Sequence, residues 1–122
     1  MGYESRLYIV RKCKIQISPE SGLRWSEKIA VFNLCKVPTV SEKMRKYKST
    51  DAFVYADDGN TEIVKDDYGD TLKEIPLADA IEIMEYAERT EDYYWRYRPC
   101  IALLKSMHEY GQGDIVVLHY GY

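Results

Sequence analysis

Near its end the chain reads Asp114-Ile115-Val116-Val117-Leu118-His119-Tyr120, with apolar side chains on both parities of an extended segment. Successive side chains of a strand point to opposite faces, so such a run is favourable only where both faces are covered. The segment therefore reads as a central strand, and the C-terminus belongs to the core rather than to a tail. A sheet built around it must draw its neighbours from the rest of a 122-residue chain, a length that fits one domain, residues 1–122.

The segment from Glu4 to Ile17 alternates, with Leu7, Ile9, Cys13 and Ile15 on one parity and Tyr8 and Val10 on the other. It predicts a first strand with Arg6, Lys12 and Lys14 turned outward. After the turn residues Ser18-Pro19-Glu20-Ser21-Gly22, the nearly continuous apolar run from Trp25 to Val37 fits a strand covered on both faces or a short buried helix, and a strand antiparallel to the first is preferred. Thr39-Val40-Ser41-Glu42 matches a capping box, and Val40, Met44 and Tyr47 then form the buried stripe of a short helix that exposes Lys43, Arg45, Lys46 and Lys48.

Residues 52–56 and 61–65 flank Asp57-Asp58-Gly59-Asn60, and Asp-Gly between two β-rich runs signals a hairpin. A second acidic turn, 66–70, ends it. Pro76 is expected to open a helix with Leu77, Ile81, Met84 and Ala87 inward and Glu82, Glu85 and Glu88 outward. A last helix is expected from about residue 99 to 110, burying Ile101, Leu103, Leu104 and Met107 and stopping at Gly111. The expected class is α+β, a mostly antiparallel sheet of four to five strands with two to three helices on one face.

The formal charge of −3 conceals segregation: residues 1–50 hold 11 basic against 4 acidic side chains, and residues 51–92 hold 3 against 14. Opposite blocks in one domain suit internal cross-pairing, self-association into a homo-oligomer, or a charged partner. The acidic balance argues against a direct nucleic-acid partner. The start of the chain shows no apolar leader and no stretch reaches the length of a membrane span, so a cytoplasmic location without a membrane partner is expected. Cys13, Cys35 and Cys100 are odd in number and widely spaced, which fits reduced, buried thiols.

Chemical signatures are sparse. The glycines form neither a dinucleotide-binding turn nor a phosphate loop, no G-x-S-x-G elbow is present, and His108-Glu109 is not followed by a second histidine at zincin spacing. Cys100 and His108, eight residues apart on one helix, would be separated by about 12 Å along its axis. Only His119 could still meet a cysteine in space. The acidic group Asp57, Asp58, Asn60, Glu62, Asp66, Asp67 and Asp70 is the best candidate for holding a hard cation, structurally or weakly, but it departs from the EF-hand pattern and turn chemistry is the preferred reading. No catalytic residue, metal or cofactor is assigned.

Twelve tyrosines are an excess for this length, and the densest aromatic stretch is Tyr93-Tyr94-Trp95-Arg96-Tyr97-Arg98-Pro99. Rings interleaved with guanidinium groups can stack on a base and pair with phosphate. The same composition marks protein interfaces, and it also arises from simple packing. The candidate ligand-binding residues are Tyr94, Trp95, Arg96, Tyr97 and Arg98, with Arg24 and Trp25 as a smaller patch of the same kind.

The stretches Tyr3-Glu4-Ser5-Arg6-Leu7-Tyr8, 28–36, Tyr55-Ala56-Asp57-Asp58-Gly59-Asn60 and Val117-Leu118-His119-Tyr120-Gly121-Tyr122 resemble small proteins carried by phages and prophages of Gram-positive bacteria. That resemblance implies an accessory protein acting in the bacterial host as an antagonist of its defence. Such antagonists either sequester nucleotide-derived immune signals or inhibit a host defence protein stoichiometrically. The expectation is a non-enzymatic binder of a nucleotide-like small molecule. The alternative is an inhibitor of a host defence protein that uses the acidic segment 51–92.

Overall fold

The computed structural model describes residues 4–90, 95–111 and 114–122, with Cys35 described by its backbone alone. Strand β1, Glu4–Ile17, turns back into β2, Arg24–Lys36, and the short helix α1, Pro38–Met44, follows. A hairpin of β3, Ala52–Tyr55, and β4, Glu62–Ile63, leads to β5, Lys73–Pro76. Helices α2, Leu77–Thr90, and α3, Tyr97–Tyr110, precede the last strand, β6, Ile115–Gly121.

The strands form one sheet in the order β4-β3-β2-β1-β6-β5, and only the β2–β3 pairing is parallel. β6 lies between β1 and β5, as its two-sided apolar pattern requires. Among the described residues the α+β class holds with three helices, and the sheet has six strands rather than four to five. The strand without a sequence signature is β5, Lys-Glu-Ile-Pro, which has one inward apolar residue and is strand only because Ile75 pairs with Val117 of β6.

The sheet curls until the lead-in to β3 meets β5. The Thr50 amide donates to the Leu72 carbonyl and the Glu74 amide to the Lys48 carbonyl, both at 2.9 Å, with a bridge between Ser49 and Lys73. Two cores result. On the helix side Leu7, Ile9, Leu34, Ile75 and Val117 pack against Met44, Met84, Cys100 and Leu104. Inside the curl Tyr8, Val10, Val54, Leu72 and Leu118 form the second.

Both openings of the curl carry charge. At one, Lys12 Nζ lies 3.0 Å from Asp51 and 3.1 Å from Glu74, which also accepts from Thr50 Oγ1 at 2.7 Å. Burial alone would lower the Lys12 pKa, but the hydrogen bonds and charges of Asp51 and Glu74 outweigh it and the pKa is raised. At the other, Arg6 stacks 5.0 Å from the Tyr120 ring and 4.8 Å from the Tyr122 ring. Arg6 and Lys12 are thus drawn into the openings rather than turned outward.

Local expectations change where a neighbour outcompetes propensity. Thr39 is not the cap of α1: the helix begins at Pro38 behind Val37 and has no side-chain cap. Pro76 closes β5 instead of opening α2, and Ala80 and Ile83 are buried while Leu77 and Ile81 are half-buried. α3 starts at Tyr97, two residues earlier than expected, because a proline at the third position still falls within the first turn. β2 is not covered on both faces, since Ile29 and Val31 are exposed.

The hairpin and the helix stop follow their residues. Gly59 takes φ +75°, and Asp58 accepts from the Thr61 hydroxyl at 2.5 Å and from the amides of Thr61 and Asn60 at 2.8 Å, which hold its carboxyl down at about 2. Gly111, at φ +67°, ends α3 by donating to the Met107 carbonyl. Because Leu118 is wholly enclosed, Leu118→Ala is expected to lower unfolding free energy by about 2–5 kcal/mol in urea titrations, whereas Leu118→Met should cost under about 1.5 kcal/mol.

Candidate functional site

The structure separates the two aromatic–arginine patches. Arg24 opens β2, with Nε 3.3 Å from Asp51 Oδ2, and Trp25 pairs with Phe53 across the parallel junction. Residues 95–98 lie at the other end of the strand, where the Arg96 guanidinium donates to the Asn33 carbonyl. Eight residues of strand separate Trp25 from Asn33, about 26 Å at the usual rise. The patches do not meet in one pocket.

Within the second patch the residues do different work. Trp95 is 57% exposed, with the Arg96 guanidinium 5.2 Å from its ring. Tyr97 is 2% exposed and belongs to the helix-side core, where it is packing rather than a ligand platform. Arg98 is ion-paired at 2.6 Å with Glu88. Tyr94 lies outside the described residues.

A concave surface that neither patch borders is a groove of about 460 Å³ between α1 with its following turn and α2. Lys43 and Lys46 come from the exposed side of α1 and the turn after it, and Tyr47 ends the buried stripe of the same segment. Asp79, Tyr86 and Arg89 come from α2. Spacings of seven and three residues along a helix keep these three on neighbouring lines of one face.

Tyr47 donates to Asp79 Oδ2 at 2.9 Å, which fixes its ring against the α2 wall. Burial, then the Asp79 hydrogen bond and the charges of Asp79 and Glu82, push its phenol pKa up, so the hydroxyl stays protonated. The Lys43 ammonium sits 4.6 Å above the Tyr86 ring and the Arg89 guanidinium 6.0 Å from it. Three cations therefore border two phenol rings and two carboxylates, Asp79 and Glu82. A second hollow of about 590 Å³, bordered by Lys12, Lys48, Asp51 and Glu74, shares Lys46 and Tyr47 with the groove. A smaller one, about 280 Å³, holds Trp25 beside Arg11, Lys12 and Lys14.

The sequence signal for the groove was divided between two elements that only tertiary contact brings together. Tyr47 read as core, and of the α2 residues in the groove only Glu82 was assigned, to the outward side with Glu85 and Glu88.

His119 meets a serine rather than a cysteine. Ser5 Oγ and His119 Nε2 are 2.9 Å apart, with Ser5 0% and His119 2% exposed. A serine beside a neutral imidazole has the composition of a nucleophile and base, but neither residue lines the hollows described here. The pair ties β1 to β6 within the helix-side layer. Cys100 is buried, and burial pushes its thiol up to about 12, which leaves it unreactive. Among the described residues no three His, Cys, Asp or Glu side chains converge as a metal would require, and no helix is long and apolar enough to cross a membrane.

Burial, with smaller contributions from the charges of Arg45 and Lys73, holds His119 down at about 4 against an ordinary 6.5. Between those values the unfolded chain binds a proton that the folded chain refuses, so stability is lost as pH falls from 6.5 towards 4. The loss at this residue is about 3 kcal/mol. Urea titrations at pH 7 and pH 4.5 should show most of that loss in the wild type and a flatter profile in His119→Asn.

No protein-family model, curated sequence or solved structure matches this chain.

Proposed function

We propose that the chain is a non-enzymatic binding protein that captures a nucleotide-derived anion in the groove between α1 and α2. The observation that carries this reading is one concave surface where the Tyr47 and Tyr86 rings stand among Lys43, Lys46 and Arg89. A phenol face accepts a base by stacking, worth about 1–3 kcal/mol per base, and guanidinium and ammonium groups hold phosphate. Asp79 and Glu82 supply acceptors for exocyclic amines or ribose hydroxyls. The adjoining hollow past Tyr47 extends the surface beyond one nucleotide unit.

The groove offers groups that bind rings and charge, while the Ser5–His119 pair is enclosed elsewhere. Such an arrangement suits retention rather than turnover. In the phage setting that the resemblance implies, capture of this kind would withdraw a nucleotide immune signal from the host. The rival reading, an inhibitor presenting the acidic segment 51–92, has less support. Asp58 and Asp66 are occupied by turn amides, Asp67 by the Tyr120 hydroxyl, and Asp51 and Glu74 by Lys12.

Thermal denaturation with a panel of cyclic dinucleotides, ADP-ribose and mononucleotides tests the proposal. A ligand at 100 times its Kd should add about 2.7 kcal/mol of stability. Arg89→Ala or Lys43→Ala should weaken that ligand about tenfold, a loss of about 1.4 kcal/mol, while Arg98→Ala should leave it unchanged. No stabilisation by any member would sink the proposal. A response lost in Arg98→Ala but kept in Arg89→Ala would move the site to residues 95–98.

A further inference from the structure

We infer that the outer edge of β2 is where two copies of this chain associate, antiparallel about a two-fold axis near Val31. β2 pairs with β1 along its length, but on its other side β3 reaches only Arg24 and Trp25. From Glu27 to Lys36 no strand among the described residues pairs with that edge, although the turn after β3 reaches Lys28 through Asp57. An edge of this length presents outward amides and carbonyls that template another strand. The Arg96 guanidinium takes the Asn33 carbonyl, whose oxygen keeps a second lone pair for an amide.

Proteins usually guard such an edge with charge along its middle. Here Ile29 and Val31, 36% and 41% exposed, stand between an exposed Glu27 at one end and an exposed Lys36 at the other; of the cations between them, Lys28 is paired with Asp57 and the Arg96 guanidinium lies on the Asn33 carbonyl. A register shift between Ile9 and Val10 leaves Ile29 as a bulge, so the regular segment available for pairing runs from Ala30 to Leu34.

The charge order selects the occupant. Antiparallel pairing about a two-fold axis brings the Glu27 end of each copy beside the Lys36 end of the other, twice over. The same operation carries the Asp57 carboxylate, which is fully exposed near Lys28, toward the end of the other copy where Arg98 lies three-quarters exposed. Parallel pairing would set like charges together. A second copy thus satisfies the backbone, the apolar middle and both charged ends at once.

Sedimentation equilibrium of the full chain tests this. A dimer is expected, and Val31→Lys should raise its dissociation constant at least about tenfold with the far-ultraviolet circular dichroism unchanged. Glu27→Lys and Lys36→Glu should each weaken it, and the two reversals combined should restore it. A monomer at every concentration, or a dimer indifferent to Val31→Lys and to the charge reversals, would overturn the inference.

Discussion

The closure of the curled sheet, where residues 48–50 bond to residues 72–74, is the contact on which most of the molecule depends. Without it β5 and the lead-in to β3 would both be open edges, and Tyr8, Val10, Leu72 and Leu118 would face water on the concave side. Closure also holds the segment after α1 against the beginning of α2, because that segment joins β5 and α2 continues β5 directly. Tyr47, just before the closing residues, is thereby set against Asp79. The groove is a by-product of how the sheet is sealed.

The charge blocks along the chain find a physical role in the same closure. Every ion pair described above draws its carboxylate from residues 51–92, and Lys12, Arg24 and Lys28 reach it from the basic N-terminal block. Arg98 and Lys105 of α3 pair with Glu88 and Glu85 of α2. Most of these pairs are exposed and each contributes at most about 1 kcal/mol. Lys12 differs, being half-enclosed between two carboxylates on opposite sides of the seam, so its removal would leave Glu74 without its cation and Asp51 with Arg24 alone.

Periodicity made the long elements legible. β1, β2 and β6 carry enough alternating or two-sided apolar residues to declare themselves, and Asp58-Gly59 and Gly111 fix turns through backbone conformations that other residues reach at a cost. β5 was not legible, because four residues ending in proline carry no period and owe their conformation to β6. The same limit applies to the binding surface. Interleaved rings and arginines drew attention to residues 94–98, yet Tyr97 turned inward with the first turn of α3 and Arg98 found Glu88. The α1–α2 groove is assembled from residues some forty positions apart, so no local pattern announces it.

The junction at Pro76 has a mechanical consequence. With no residue between the end of β5 and the start of α2, the helix has no hinge of its own and moves only as the sheet moves. One wall of the groove is therefore stiff. Its other wall is held to α2 at Tyr47 and to β5 at Lys48, and joins β2 through Val37 alone, so what give it has lies in α1 itself. A molecule entering between them would be accommodated by a small tilt of a seven-residue helix, whose N-terminus carries no side-chain cap to resist it.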